Sequence, residues 1–309
     1  MMSSTLPIEK KVIDQNKTID ENKALDTAIR QHYEYAGPDY EYWSQNFNLH
    51  FGYYRRGLNP LNRESLLEEM NQQVLKRLQI PLDSSDTLLD LGCGLGATSR
   101  AAARSYPTLL LQGISIVPYQ IKRAQELNEQ ARLDERIGIL EGDFRKIPFR
   151  DEAVNYAIGV ESTCHCEGDD KSAVMSEMHR VLKPGGRFVI ADVLRKHDRP
   201  IRGMLGKAYR GLCDCWALES FAEKGALKRK LEDLGFKDIR FEEVSWHVAP
   251  SVMHVPGVIA KWIFRELQRD RKEALKKERV EHVKASFLSI ILGLARPHFG
   301  YYLISGRKN

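Results

Sequence analysis

Four stretches of the 309-residue sequence carry residue types that chemistry needs. In Leu88-Leu89-Asp90-Leu91-Gly92-Cys93-Gly94-Leu95-Gly96, three glycines follow an apolar run and precede a helix-forming one. Glycines let the backbone turn tightly and let a ligand approach the main chain, and a helix beginning at Ala97 offers free N–H groups to it. Glu161-Ser162-Thr163-Cys164-His165 puts a carboxylate and an imidazole four residues apart, and either can act as a general base. Upstream lies an aromatic run of Tyr33, Tyr35, Tyr40, Tyr42, Trp43, Phe47, Phe51, Tyr53 and Tyr54, with His50 inside it. Aromatic faces attract a cation by about 0.5–2 kcal/mol each, although such runs also build ordinary core. Finally, Arg195–Arg210 holds six Lys or Arg, Arg199 and Arg202 among them, against Asp198. Such a cluster suits an anionic group, with Arg55 and Arg56 able to join it, or forms a solvated or membrane-touching lid.

Placing these groups on one surface takes an alternating chain. Strand-like TLLDL, TLLLQGIS, IGILEGD, AVNYAIGV and GRFVIADVL alternate with helical ATSRAAARSY, PYQIKRAQELNEQARL and SAVMSEMHRVL. Strands separated by helices mean a parallel sheet, so an α/β unit spans about 81–194. Before it, ESLLEEMNQQVLKRLQI repeats apolar residues at helical spacing and stops ahead of Pro81. After it, LKRKLEDLGF reads as a helix, IRFEEVSWHV as a strand and HFGYYLISGR as a last strand. The helical texture from Val255 to Arg296 is too long for a hairpin loop, and is expected to pack on the sheet or cover its edge. The organisation expected is an N-terminal helical and aromatic cap over 1–80 and one domain over 81–309, with a helical insert at about 255–296.

Composition excludes several classes. With 42% hydrophobic residues the chain is neither disordered nor fibrous. A net charge of +5 hints at an anionic ligand rather than wholesale nucleic-acid binding. The five cysteines, one single and two C-x-C pairs, imply a reducing compartment and read as buried apolar thiols rather than zinc ligands. The first residues lack an apolar segment of signal-peptide length, and FLSIILGLA is about half a membrane span, so a soluble cytoplasmic protein with at most peripheral membrane contact is expected. A homodimer is only the general prior.

The D-x-G-x-G-x-G arrangement departs from the dinucleotide fingerprint G-x-G-x-x-G and resembles the first motif of class I S-adenosylmethionine-dependent methyltransferases. The resemblance runs in register over about 40–248, and implies a doubly wound, mostly parallel seven-stranded sheet of Rossmann-like methyltransferase type with an N-terminal helical lid. It further implies that Asp90, Gly92, Cys93, Gly94 and Gly96 cradle the methionine part of the cofactor. The usual acidic residue ending the second strand is replaced by Gly113-Ile114-Ser115-Ile116, and G-I-[ST]-x-x-P-x-Q is similar to the branch containing tocopherol-type and prenyl diphosphate methyltransferases. Ser115 and Gln120 would then contact the ribose, Asp143 the adenine amino group, and Ile116 and Phe144 the ring faces. The Glu177–Gly186 segment matches the family as scaffold, a helix stop with a turn.

Within that branch, Glu161–His165 is similar to the E-A-T-C-H of sterol C-methyltransferases, and Tyr40-Glu41-Tyr42-Trp43 with Phe47, His50 and Phe51 is similar to their aromatic region. The resemblance implies methylation of an alkene carbon of an isoprenoid through a carbocation, with the aromatic faces, Tyr53 included, around the cation and Glu161 or His165 taking the proton. Arg55, Arg199 and Arg202 would hold a prenyl diphosphate, directly or with Mg2+. The alternatives are an O- or N-methyltransferase of a small natural product, or a sterol or quinol C-methyltransferase. A nucleic-acid substrate is disfavoured, because no RNA-binding module or N-P-P-Y-type motif is present.

Overall fold

The computed structural model describes residues 23–37, 40–269 and 277–309. Most of the tail that the sequence leaves without a firm element, residues 1–22, lies outside the described residues. The helices are α1 (Lys23–Ala36), α2 (Tyr40–Trp43), α3 (Arg63–Leu78), α4 (Ala97–Ser105), α5 (Pro118–Gln130), α6 (Ser172–Val181), α7 (Gly203–Cys215), α8 (Lys224–Asp233), α9 (Ser245–Val252), α10 (Val255–Arg269) and α11 (Lys277–Leu294). The strands are β1 (Thr87–Leu91), β2 (Leu110–Ser115), β3 (Ile137–Glu141), β4 (Val154–Val160), β5 (Leu182–Arg195), β6 (Lys237–Glu243) and β7 (Phe299–Arg307).

They form one seven-stranded sheet of order β3-β2-β1-β4-β5-β7-β6, in which β7 runs antiparallel to both neighbours. Alternation along the strands feeds two core layers. Leu89, Leu91, Ala157, Phe188 and Ile190 face Val174, Met175 and Met178 of α6 and Leu227 and Leu231 of α8. Leu88, Ile158, Val189, Ala191 and Leu303 face Met70, Val74, Leu75 and Leu78 of α3 and the alanines of α4. Helix α3, within the stretch expected to cap the domain, thus supplies one face of its core. The strand order reverses between β1 and β4, and a crevice opens outside their carboxyl ends, where sheets of this type bind ligands.

Two segments differ from the sequence reading. Ser245-Trp246-His247-Val248, expected to continue the sixth strand, begins α9 instead. The Ser245 Oγ accepts the Tyr301 N–H at 2.8 Å, ending the ladder, and His247 stacks on Tyr53 at 4.4 Å between ring centroids. Pro184-Gly185-Gly186, expected as a free turn, lies inside β5: Gly185 takes φ +76 where the register with β4 shifts, and its N–H donates to the Lys308 carbonyl. The described parts of the insert form the helices expected, with α11 packed on α7 and α1 and α10 packed on α11 and α2. They wall a cavity above the strand ends. Among the described residues no helix is long and apolar enough to cross a membrane.

Candidate active site

The glycine loop leaves β1 with Gly92, Gly94 and Gly96 at φ +71, +53 and +74, a region that side chains with a Cβ rarely adopt. A Cβ on Gly92 would stand 2.6 Å from the Ser162 Cβ, and one on Gly94 would stand 2.7 Å from the Leu49 Cδ1. Gly96 heads α4 with no side chain capping its first turn. The Asp90 carboxylate, at the end of β1, accepts the Ser99 hydroxyl at 2.7 Å, and burial raises its pKa to about 6 against that hydrogen bond, leaving it ionised at neutral pH.

Around this loop lies a cleft of about 870 Å³ lined by Asp90, Gly92, Cys93, Gly94, Ser115, Ile116, Gln120, Asp143 and Phe144. All the expected cofactor residues except Gly96 meet there, and Gly96 starts the helix below. The Ser115 hydroxyl donates to the Gln120 Oε1 at 2.9 Å and accepts the Val117 N–H, so the two proposed ribose ligands form one unit. Asp143 is less free than its sequence suggests, because the Arg145 Nε bonds both its oxygens at 3.0 and 2.9 Å. Arg145 also pairs with Glu167 and, through α1, with Asp26. Helix α1 thereby brings Asp26, Ile29 and Tyr33 to the cleft wall, which sequence reading did not find.

A second cavity opens beside the cleft, about 1130 Å³ with its solvent-filled mouth included, and Tyr33, Leu49, His50, Glu161 and His165 line both. Its walls are the expected Tyr42, Trp43 and Phe51, together with Trp216, Leu218 and Phe221 after α7 and Val255, Val258, Ile259, Trp262 and Val283 of the insert. Phe47 faces only the cofactor cleft, with Arg123 over its ring at 5.1 Å. Tyr53 lines neither space, being stacked on His247. Tyr40 begins α2, and its side chain lies outside the described residues.

The expected anion-binding cations are not brought together. Arg55 pairs with Glu69 at 2.9 Å, Arg199 and Arg202 are exposed, and none of the three lines either cavity. Among the described residues the second cavity has no Lys or Arg in its lining, and it carries the carboxylates of Glu161 and Asp192. No cluster of three or more His, Cys, Asp or Glu among the described residues is arranged to hold a metal ion.

Glu161 follows β4 in the left-handed region at φ 48, and its N–H donates to the Ala191 carbonyl. Its Oε1 accepts the Phe51 N–H at 2.7 Å and the Tyr301 hydroxyl at 2.8 Å. Burial raises its pKa to about 8; the two donors oppose that shift and the Asp192 charge adds to it. His165, whose Nε2 meets the Tyr33 hydroxyl at 3.1 Å, is held neutral: burial, then the nearby His32 and Lys171, lower its pKa to about 3. Below it, the buried Lys171 ammonium donates to the carbonyls of Cys166 and Ser220 at 2.6 and 2.7 Å, pinning the Cys164–Cys166 loop. His50 is fixed between the Phe51 carbonyl at 2.9 Å and Asn71 at 3.0 Å, a structural role.

Replacing Trp262 by Ala removes a buried wall of the second cavity only. The expected result is a loss of about 3 kcal/mol of stability and a KM for the methyl acceptor raised about tenfold, with cofactor affinity unchanged. Thermal melts, calorimetric cofactor titrations and steady-state kinetics check these separately.

An open doubly wound sheet with a glycine loop at its switch point and a carboxylate facing an apolar cavity matches the architecture implied by the resemblance to class I S-adenosylmethionine-dependent methyltransferases. Residues 89–190 match the family described as Methyltransferase domain. The chain is 27% identical to 27-O-demethylrifamycin SV methyltransferase of Amycolatopsis mediterranei (strain S699), over 86% of this chain and 91% of the relative. It is 33% identical to cycloartenol-C-24-methyltransferase of Arabidopsis thaliana over 52% of this chain, spanning 45% of the relative. The fold is shared with a putative sarcosine dimethylglycine methyltransferase from Galdieria sulphuraria, with TM-score 0.75 at 20% identity over 90% of this chain and 98% of that one.

Proposed function

We propose that the protein methylates an alkene carbon of an uncharged isoprenoid, a sterol-like or terpenoid lipid, by way of a carbocation. The observation that carries this reading is the seam between the two spaces: Glu161 lines both, and beyond it the walls are mostly aromatic and aliphatic, with the Asp192 carboxylate and no Lys or Arg among the described residues. S-adenosylmethionine, when bound, supplies an electrophilic methyl group on a sulfonium centre. Asp90, the glycine loop, Ser115 with Gln120, and Asp143 would hold it in the first cleft, with Ile116 and Phe144 at its adenine. Trp43, Phe51 and Tyr42 line the second cavity as aromatic walls that keep water from a carbocation formed there.

Positive charge developing on the substrate favours the ionised form of Glu161, whose oxygen then receives the proton that leaves the carbon skeleton. Burial makes the His165 imidazole a weak base, with a pKa lowered to about 3, and it is paired with Tyr33, so it orients rather than accepts the proton. The sterol relative supports carbon as the acceptor. The rifamycin relative, whose name specifies oxygen, keeps a second reading open in which Glu161 deprotonates a hydroxyl.

A diphosphate is disfavoured, since Arg55, Arg199 and Arg202 stand outside both spaces and no Lys or Arg among the described residues lines the substrate cavity to compensate a buried dianion. Turnover of a panel of prenyl diphosphates, the corresponding alcohols, sterols and quinols, with and without Mg2+, tests the assignment. Neutral acceptors are expected to be turned over independently of Mg2+. The Arg199→Ala/Arg202→Ala double variant is expected to change their KM by less than about twofold. Turnover confined to a diphosphate, with KM raised tenfold or more by the double variant, would reverse the substrate assignment.

A further inference from the structure

We propose that Tyr301 is a positioning residue for the proton transfer: with the Phe51 N–H it anchors Oε1 of Glu161 and leaves Oε2 as the single oxygen that receives the substrate proton. The inference rests on the reading of the site given above. Tyr301 stands on β7, opposite Val193 of β5, which itself lines the substrate cavity. Its backbone is held on both sides, the N–H donating to the Ser245 Oγ at 2.8 Å and the carbonyl accepting the Val244 N–H at 2.8 Å. The ring is buried, so the hydroxyl has little freedom except to reach Glu161.

Both hydrogen bonds to Glu161 end on the same oxygen, and Oε2 has no partner among the described residues. A carboxylate held by one oxygen from two directions cannot turn about its own axis without losing both donors. An alkene that has gained a methyl carries its positive charge beside several C–H bonds, and the product isomer is fixed by which one meets the base. Breaking that C–H bond places its electron pair in the new double bond and its proton on Oε2. An anchored Oε2 gives one isomer; a carboxylate free to turn gives several.

The hydroxyl also sets the basicity of the pair. Burial and the Glu161 carboxylate push the Tyr301 pKa far above its usual value, so it stays a donor throughout the titration of Glu161. The other groups facing Glu161 are the Asp192 carboxylate on β5, the Cys164 thiol, and His50 and His165, whose pKa values burial lowers. Of these, Asp192 opposes ionisation of Glu161 and Tyr301 favours it. Removing the Tyr301 hydroxyl raises the Glu161 pKa, so activity that depends on ionised Glu161 sets in at higher pH.

The test is Tyr301→Phe, which deletes one oxygen and keeps the buried ring. Wild type and variant are compared with an accepted alkene substrate for product isomers, pH–rate profile and cofactor affinity. The expected result is one alkene isomer from wild type, a mixture from the variant, and a variant acid limb moved up by about one pH unit at unchanged cofactor affinity. An unchanged isomer ratio with an unmoved limb would overturn the role of Tyr301. Methylation of oxygen by wild type would refute the carbocation reading, and the isomer prediction with it; the position of the limb then still decides whether Tyr301 holds Glu161. If the variant turns over too slowly to profile, infrared titration of the Glu161 carboxyl stretch decides, with Glu161→Gln as the blank. A midpoint unchanged from wild type overturns the proposal.

Discussion

Glu161→Gln is expected to lower kcat by about 10³-fold while changing cofactor affinity by less than about threefold. The amide is chosen because its carbonyl oxygen can take the place of Oε1 and accept both the Phe51 N–H and the Tyr301 hydroxyl. The loop after β4 therefore keeps its shape, and what is lost is the ability to receive a proton. Because burial raises the Glu161 pKa to about 8, wild-type activity without a cation nearby would rise with pH through that region. A sulfonium or carbocation close by lowers the value, so the limb seen in kcat lies below the limb seen for the free enzyme. Steady-state kinetics from pH 6 to 9, with cofactor titrations by calorimetry, check both statements. A parallel fall in cofactor affinity would assign Glu161 to cofactor binding instead.

Gly92→Val has an expected effect of similar size on a different step. Gly92 combines φ +71 with a Cβ position 2.6 Å from the Ser162 Cβ, and Ser162 is itself tied to the Leu91 carbonyl. A β-branched side chain can neither adopt that backbone nor find that space, so the loop must move away from the cleft it shapes. Cofactor affinity is expected to fall at least about 100-fold and stability by about 2–4 kcal/mol. Gly257→Ala is the control: it lies in α10 with open space around it, and the substitution is expected to stabilise by up to about 1 kcal/mol without touching cofactor affinity. Calorimetric titration and thermal melts separate the two variants.

The parts of the site legible in the sequence are those whose geometry is local. Asp90–Gly96, Ser115–Gln120 and Asp143–Phe144 each leave the end of one strand, so strand–turn–helix spacing is enough to place them on one crevice. The substrate walls are different. Trp216, Phe221, Ile259 and Trp262 reach the cavity because α10 and α11 fold back over the strand ends, and their local pattern says only that they are helical. Charge clustering along the chain does not place a side chain for a related reason: Arg199 and Arg202 precede α7 and line neither cavity, and proximity in sequence to β5 does not fix which way a loop turns. Tyr301 and Tyr302 are adjacent tyrosines on a strand, so they face opposite sides of the sheet, and only the register of β7 on β5 shows that Tyr301 is the one reaching Glu161. The end of β6 was hidden by an alternation that reads as strand, and a side-chain hydroxyl at Ser245 decides it.

The most direct test of carbon methylation with proton loss follows where the label goes. The enzyme is supplied with methyl-labelled S-adenosylmethionine and a neutral isoprenoid deuterated at its alkene carbons and at the carbons flanking them, and the product is read by mass spectrometry and carbon NMR. The account predicts the labelled methyl on carbon and one deuterium lost from the skeleton. A labelled methyl on oxygen, with every skeletal deuterium retained, would contradict it.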